Sequence, residues 1–352
     1  MKAKTNLIKV QQLPSGDNLN IKVYKFAGKG KKKIYIQANI HGPEVVGILV
    51  AKKLVSHIQK YGGNFKEFII VPSCNPIGFN QQFIGQQIGY VNQLTGTNWN
   101  RIYKNLGDNF KIKGQVSMAE FKNLLLKNLK DKKVKDTDTE SQLALTLQEL
   151  SFDADIVLDL HTAWGTAPQY VYSFSEYLES TKKFGISNVI LLEKDTFSGV
   201  FDESHLYPYF ANKTKIKNFK LPKQVFTLEL GSDCSVEEKD VESGFQKIVS
   251  YLSYQKILSG KDMSKDVIFD ACELKDFIYY NAPKGGLLVW KKNENDYVDK
   301  RETICEIHEI LSEAIVKVVA KNSGKLIIKF NSHSVHQGQK IAKVMTNLKK
   351  LK

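Results

Sequence analysis

Four short apolar runs constrain this chain more than anything else in it: residues 34–40 (IYIQANI), the start of 68–76 (FIIVPSCNP), 156–160 (IVLDL) and 224–231 (QVFTLELG). Each is too short for a helix and ends in polar or turn-forming residues, the pattern of strands buried on both faces. Residues 21–26 predict a further strand. Between the runs lie stretches long enough for helices. From Pro43 the apolar positions Val45, Ile48, Leu49, Val55 and Ile58 follow a helical period, with Pro43 suited to the first turn. Ser235 with Glu238 three residues on reads as a capping box for a helix through about Leu258. Buried strands separated by helices predict an α/β domain with a largely parallel or mixed central sheet.

Two other stretches have their own texture. Residues 117–150 are lysine-rich and helical in pattern, as expected of a surface insertion with a solvated charged face. After the polar SGKDMSKD (259–266) the chain becomes β-rich, and GGLLVWKKNENDYVDKRETICEI (285–307) weakly repeats in SGKLIIKFNSHSVHQGQKIAKV (323–344). In both, a Gly-x-Leu start is followed by a valine (Val298 or Val335) and six residues later an isoleucine (Ile304 or Ile341). Two such units closing on each other predict a small barrel or sandwich. The expected division is therefore a catalytic-type domain over 1–265 and a small β-rich domain over 266–352.

Charge narrows the partners. The formal net charge is +14, yet only two of the 51 basic residues, Arg101 and Arg301, are arginine. Nucleic-acid readers lean on arginine for bidentate base contacts, whereas dispersed lysine gives solubility and a general attraction to anions. A specific nucleic-acid role is not expected; a small anionic substrate is. No run approaches the roughly 18 apolar residues of a membrane span. Cys74, Cys234, Cys272 and Cys305 form no C-x-x-C pair, so reduced thiols in a soluble, cytoplasmic protein are expected. Assembly into a homo-oligomer is left open.

Several polar residues stand where polar residues are costly. His41 and Glu44, three apart at a strand-to-helix junction, offer two metal-ligand types, with Glu44 near the helix start where the helix dipole favours a carboxylate. His161 ends a predicted buried strand, the usual place for functional groups in open α/β sheets. Asp159, two residues earlier on the same side, could orient a ligand histidine. Glu229 is a lone carboxylate in an apolar strand, intelligible as a general base toward water. Arg101 follows Asn100 in TGTNWNRIY (95–103), and its planar fork suits a substrate carboxylate in a way lysine cannot copy. Taken singly, each has a plainer reading: a polar turn for His41 and Glu44, a satisfied core histidine for His161, an edge-strand or capping charge for Glu229, a structural turn for Asn100 and Arg101.

Taken together, HGPE (41–44), NP (75–76), NWNR (98–101), DLHTA (159–163) and ELG (229–231), with a β-rich segment from about APKGG (282–286), resemble the succinylglutamate desuccinylase/aspartoacylase family of zinc carboxypeptidase-like hydrolases. The resemblance implies a carboxypeptidase-like α/β/α sandwich with a mixed sheet and a small C-terminal all-β domain. It implies one Zn²⁺ per chain on His41, Glu44 and His161, with Glu229 as general base and Asn100 with Arg101 receiving a substrate carboxylate. The implied activity is hydrolysis of a linear amide in an N-acyl amino acid or a related small carboxylate substrate. Rival readings are a metallocarboxypeptidase acting on peptides and a zinc-binding homologue without turnover. One departure stands out. The family commonly carries another arginine between the NP and NR motifs, but residues 77–99 hold neither arginine nor lysine. Gln86, Gln87 or Asn92 would then supply a neutral donor to the scissile carbonyl, or a residue from elsewhere would enter.

Overall fold

The structure is a computed structural model that describes all of the 352 residues except 109, 111, 266, 331 and 352. The boundary expected at 265/266 falls on one residue outside that set. In chain order the elements are β1 (Lys4–Gln12), β2 (Asn18–Ala27), β3 (Lys33–Ala38), α1 (Val46–Tyr61), β4 (Glu67–Val71), α2 (Pro76–Phe79), a hairpin of β5 (Gln82–Phe83) and β6 (Gln86–Gln87), α3 (Met118–Lys135), α4 (Thr139–Ser151), β7 (Ile156–Ala163), β8 (Tyr170–Ser173), α5 (Leu178–Lys182), β9 (Asn188–Leu191), α6 (Phe201–Ala211), β10 (Gln224–Ser232), α7 (Glu238–Tyr254) and β11 (Phe269–Glu273). The C-terminal strands are β12 (Phe277–Asn281), β13 (Gly286–Trp290), β14 (Tyr297–Val298), β15 (Thr303–His308), β16 (Ile315–Val319), β17 (Gly324–Lys329), β18 (Ser334–Val335), β19 (Lys340–Thr346) and β20 (Lys349–Leu351).

A ten-stranded mixed sheet runs in the order β1-β2-β4-β3-β7-β10-β8-β9-β11-β20. Its centre, β4-β3-β7-β10, is parallel, and β8 joins β10 antiparallel. Helices cover both faces. On one, a Cβ added to Gly47 of α1 would lie 2.9 Å from that of Ala38, and one on Gly244 of α7 would lie 3.3 Å from Leu230. On the other, Thr227 donates to Asp202 of α6 at 2.9 Å, and the rings of Tyr35 and Phe201 sit 6.0 Å apart. Side chains alternate between faces along a strand. Asp159, His161, Thr227 and Glu229 therefore share the α6 face, and their registers align as Asp159 with Thr227 and His161 with Glu229. This is the expected α/β/α layering, with a mixed sheet.

Local details depart from the sequence reading. The helix after His41 starts at Val46, so Pro43 and Glu44 belong to the preceding turn rather than to the first helical turn. The Ser235/Glu238 capping box does not form. Glu237 holds the extended N-cap conformation and α7 begins at Glu238, so Ser235 lies two residues too early to reach the first-turn N–H groups. A capping box does form at Ser117 and Glu120, at the head of α3. The stretch 117–150 is two helices parted at Asp138, whose side chain accepts from Ser141 N at 2.8 Å. Nor is all of it a surface insertion, because α4 buries Leu143, Ala144, Leu145 and Leu147 in the core. Its lysines sit on α3.

The weak repeat has a structural counterpart. Two four-stranded antiparallel sheets, β12-β19-β17-β14 and β16-β15-β13-β18, share an apolar core that includes Val298, Ile304, Ile307, Leu326, Val335 and Ile341. Each repeat lends its short strand to the other: Val298 pairs with Gly324, and Val335 pairs with Gly286. Both ends of this segment return to the large sheet, since β11 pairs with β9 and β20 with β11. Asp270 of β11 clamps the junction, taking Lys325 at 3.1 Å and the Tyr297 hydroxyl at 2.7 Å. Among the described residues, no helix is long and apolar enough to cross a membrane.

Candidate active site

Three parallel strands, β3, β7 and β10, end side by side, and the segments leaving them line one cleft of about 600 Å³. Beyond β3 the chain must turn sharply, and Asn39 makes the turn with a left-handed φ of 66°, a conformation asparagine tolerates. Its amide then donates to the carbonyls of His41 (2.9 Å) and Gly42 (3.0 Å). Buried Asn75, of the NP motif, donates to Ile40 O at 2.7 Å and accepts from Gly78 N at 3.0 Å. Gly42 N reaches Gly89 O at 2.9 Å, and a Cβ on Gly89 would lie 1.9 Å from Gly78 O. Only glycine permits this backbone contact. The turn holding His41 and Glu44 is thus braced from two loops.

The carboxylate of Glu44 lies between two imidazoles, with His41 Nδ1 at 2.8 Å from one oxygen and His161 Nδ1 at 2.7 Å from the other. One donor atom from each of these three residues lies within 4.8 Å of the other two. The far ring nitrogens are engaged as well: His161 Nε2 meets Asp159 at 2.9 Å, and His41 Nε2 meets Asn98 at 3.1 Å. An acceptor at Nε2 keeps a proton there, so Nδ1, which faces the Glu44 carboxylate, is the nitrogen that would give up its proton to bind a metal ion. Asp159 is itself held by Gln37 at 3.0 Å, which also donates to Tyr103 at 3.1 Å. Burial works against the ionised Glu44, but the two histidines hold its carboxyl down to about 2. Burial likewise favours neutral His161, and the carboxylates of Asp159 and Glu44 more than offset it. Two imidazoles and an anionic carboxylate, each oriented from behind, make a donor set that fits a divalent metal ion.

Across from this cluster stands Glu229, one oxygen of which is buried and has no hydrogen-bond partner among the described residues. Burial, opposed by nearby His161, pushes its carboxyl up to about 8. Asn100 and Arg101 line the same cleft. Asn100 accepts from Phe201 N at 3.2 Å through its side-chain oxygen and turns its amide toward His161 at 3.5 Å, while Arg101 is exposed at the rim. The cleft thus brings together His41, Glu44, His161, Glu229, Asn100 and Arg101, with Asp159 behind His161.

Gln86, Gln87 and Asn92 are not brought in. The two glutamines sit on the β5–β6 hairpin, and Asn92 donates to Glu140 at 2.8 Å. What enters instead is Lys343 of β19, only 7% exposed, with its ammonium over the rings of Phe277 (3.9 Å) and Tyr279 (4.6 Å). Among the described residues it has no hydrogen-bond acceptor or ion-pair partner. Burial lowers it to about 8, against the opposing pull of Glu229. The sequence does carry a signal for it: a lysine inside the apolar run KIAKVMT (340–346) is as anomalous as a glutamate inside FTLEL. Tyr90, Trp164, Tyr170, Tyr172 and Phe330 complete the walls.

The sequence profile of the succinylglutamate desuccinylase/aspartoacylase catalytic domain matches residues 30–254. Among solved structures, a protein of Shewanella frigidimarina NCIMB 400 provisionally named succinylglutamate desuccinylase/aspartoacylase is 27% identical. The alignment covers 99% of this chain and 98% of that one, with a TM-score of 0.89. A family protein from Shewanella amazonensis SB2B is 26% identical over 99% of this chain and 100% of that one, with a TM-score of 0.85. The ectoine utilization protein EutE (DoeB) of Ruegeria pomeroyi shares the fold at 16% identity, covering 97% and 94% of the two chains, with a TM-score of 0.71. No curated protein matches the chain.

Proposed function

This chain belongs to the succinylglutamate desuccinylase/aspartoacylase family of hydrolases, and from that premise we propose that it is a zinc-dependent deacylase. Its substrate would be an N-acyl amino acid, or a related small molecule with a free carboxylate, cleaved at the amide. The observation carrying this reading is the placement of Glu229, with an unpartnered buried oxygen, in one cleft with the His41, Glu44 and His161 donor cluster. A carboxyl oxygen shut away from water without a partner weakens the fold, and such a placement persists where the group has work to do.

One Zn²⁺ held by His41, Glu44 and His161 would supply Lewis acidity, lowering the pKa of a water and polarising the amide carbonyl. Glu229 takes the proton from the attacking water and delivers it to the leaving nitrogen. Arg101 binds the substrate carboxylate through its fork, and the Asn100 amide sits beside it as a further donor. Lys343 supplies positive charge that the loop 77–99 lacks, on the side of the cleft where Glu229 stands. The aromatic walls limit water around these charges, which strengthens each of them. Four unpaired cysteines fit a reducing, cytoplasmic setting.

The same carboxylate clamp would accept the C-terminus of a short peptide, so the test must separate the two substrates. Protein purified without chelator should contain about one zinc per chain and hydrolyse N-acyl amino acids faster than dipeptides. Dipeptide hydrolysis alone would favour the carboxypeptidase reading. Bound zinc with no hydrolysis of either class would favour a binding protein that has lost turnover.

A further inference from the structure

Four aromatic rings form a continuous arc along the cleft, beginning at the candidate metal cluster. The Tyr90 ring lies 5.3 Å from that of His41, Trp164 comes next at 5.5 Å, Phe330 meets Trp164 edge-on at 5.8 Å, and Tyr279 lies nearly parallel to Phe330 at 6.1 Å. All four line the cleft. Tyr90 and Trp164 come from the catalytic α/β sheet's loops, Phe330 and Tyr279 from the C-terminal β-rich segment.

Two of the rings are exposed, Trp164 at 59% and Tyr279 at 43%. An exposed indole at a cleft is apolar surface awaiting a cover. The backbone that follows Trp164 is held in place. Gly165 N donates to Asp233 at 2.9 Å, and Ser232 donates to Gly165 O at 2.7 Å. Thr166 exchanges two backbone hydrogen bonds with Lys329, at 2.9 and 3.0 Å. The Tyr90 hydroxyl is tied to the same Asp233, so Tyr90 offers the cleft its ring rather than its hydroxyl. The backbone beside Trp164 and the Tyr90 ring are therefore held in place before any ligand arrives, a condition under which apolar contact contributes more to selectivity.

We propose that this arc is a substrate subsite for an aryl group, centred on the exposed face of Trp164. The preferred substrate then carries an aromatic ring, in its acyl part or its amino-acid side chain, as well as the free carboxylate. The inference rests on the deacylase reading for its account of turnover, but the subsite can be measured without turnover.

The test uses the full-length zinc-loaded protein in two assays. In the first, kcat/KM is compared for N-acetylalanine, N-acetylphenylalanine and N-benzoylalanine. At least one aryl substrate should exceed the parent by about tenfold, the scale of one or two good ring contacts, and which one does so identifies the part of the substrate that lies on the arc. Trp164→Ala and Phe330→Ala should bring that ratio toward one, with Trp164→Phe intermediate. In the second, calorimetry compares 3-phenylpropanoate with propanoate; the aryl acid should bind about tenfold tighter and lose that advantage in Trp164→Ala. Hydrolysis of N-acetylalanine with no aryl preference in either assay overturns the subsite and leaves the deacylase reading standing. Tight 3-phenylpropanoate binding with no hydrolysis of any amide overturns the deacylase reading and leaves the subsite standing.

Discussion

Asp159 and His161, two residues apart on β7, meet at 2.9 Å, and the contact decides which nitrogen of His161 faces Glu44. Removing an oriented carboxylate behind a ligand histidine typically costs about 10- to 100-fold in metal affinity or activity. Asp159→Ala should therefore bind zinc about 10- to 100-fold more weakly in chelator competition, with far-ultraviolet circular dichroism unchanged. Unaltered zinc affinity would show that His161 needs no such support.

Glu229 touches none of the proposed ligands' donor atoms by hydrogen bond, so its removal separates proton transfer from metal binding. Glu229→Gln should lower kcat by about 10²- to 10⁴-fold while metal analysis still finds the full zinc content. Loss of zinc in that variant would instead place Glu229 in the metal site.

Lys343 trades fold stability for position. An ammonium buried without an acceptor weakens the fold, and Lys343→Met keeps the side chain's length while removing the charge. The variant should melt at a higher temperature than the parent. It should also show a KM raised about tenfold for carboxylate substrates, the scale of one charge-assisted contact. A lower melting temperature would mean that the charge is compensated in the folded protein.

Far from the cleft, Lys223 is buried with its ammonium donating to Phe152 O at 2.6 Å and lying 3.4 Å from His205. Burial pulls it down to about 7 from an ordinary value of 10.5. Between those pH values the unfolded chain binds a proton there and the folded protein does not, so this residue's contribution to stability rises with pH from about 7 to 10.5 and is lost as pH falls through 7. Replacing it with Met should flatten that part of the stability profile, measured by denaturant unfolding at pH 6, 8 and 10. An unchanged slope would mean that Lys223 is charged in the folded protein.

How much of the molecule is legible in its sequence depends on how local each signal is. The strands bearing His161 and Glu229 announce themselves because strands buried on both faces are apolar throughout, so a single polar residue in them is conspicuous. β1, β8, β9 and β11 give no such signal; β1 is a half-exposed edge strand, while β8, β9 and β11 are only four or five residues long. The Ser235/Glu238 expectation fails because a capping box depends on where the backbone becomes helical, and Glu237 takes that place. The helix α4 resembles an insertion in sequence because its neighbour α3 carries the lysines. Lys343 escapes a reading by motif for another reason: it comes near Glu229 only through tertiary packing between sheets, and spacing along the chain cannot encode that.

The exchange of short strands between the two C-terminal repeats also sets an order of events during synthesis. A ribosome that has released residues up to the end of α7 has already delivered every proposed metal ligand, Glu229, Asn100 and Arg101. The opposite wall still does not exist, because Tyr279 and Lys343 sit on, and Phe330 directly follows, strands of a sheet that neither repeat can complete without the other's strand. The residues proposed to hold a metal ion thus leave the ribosome before those proposed to meet the substrate's far side, which lie between 279 and 343.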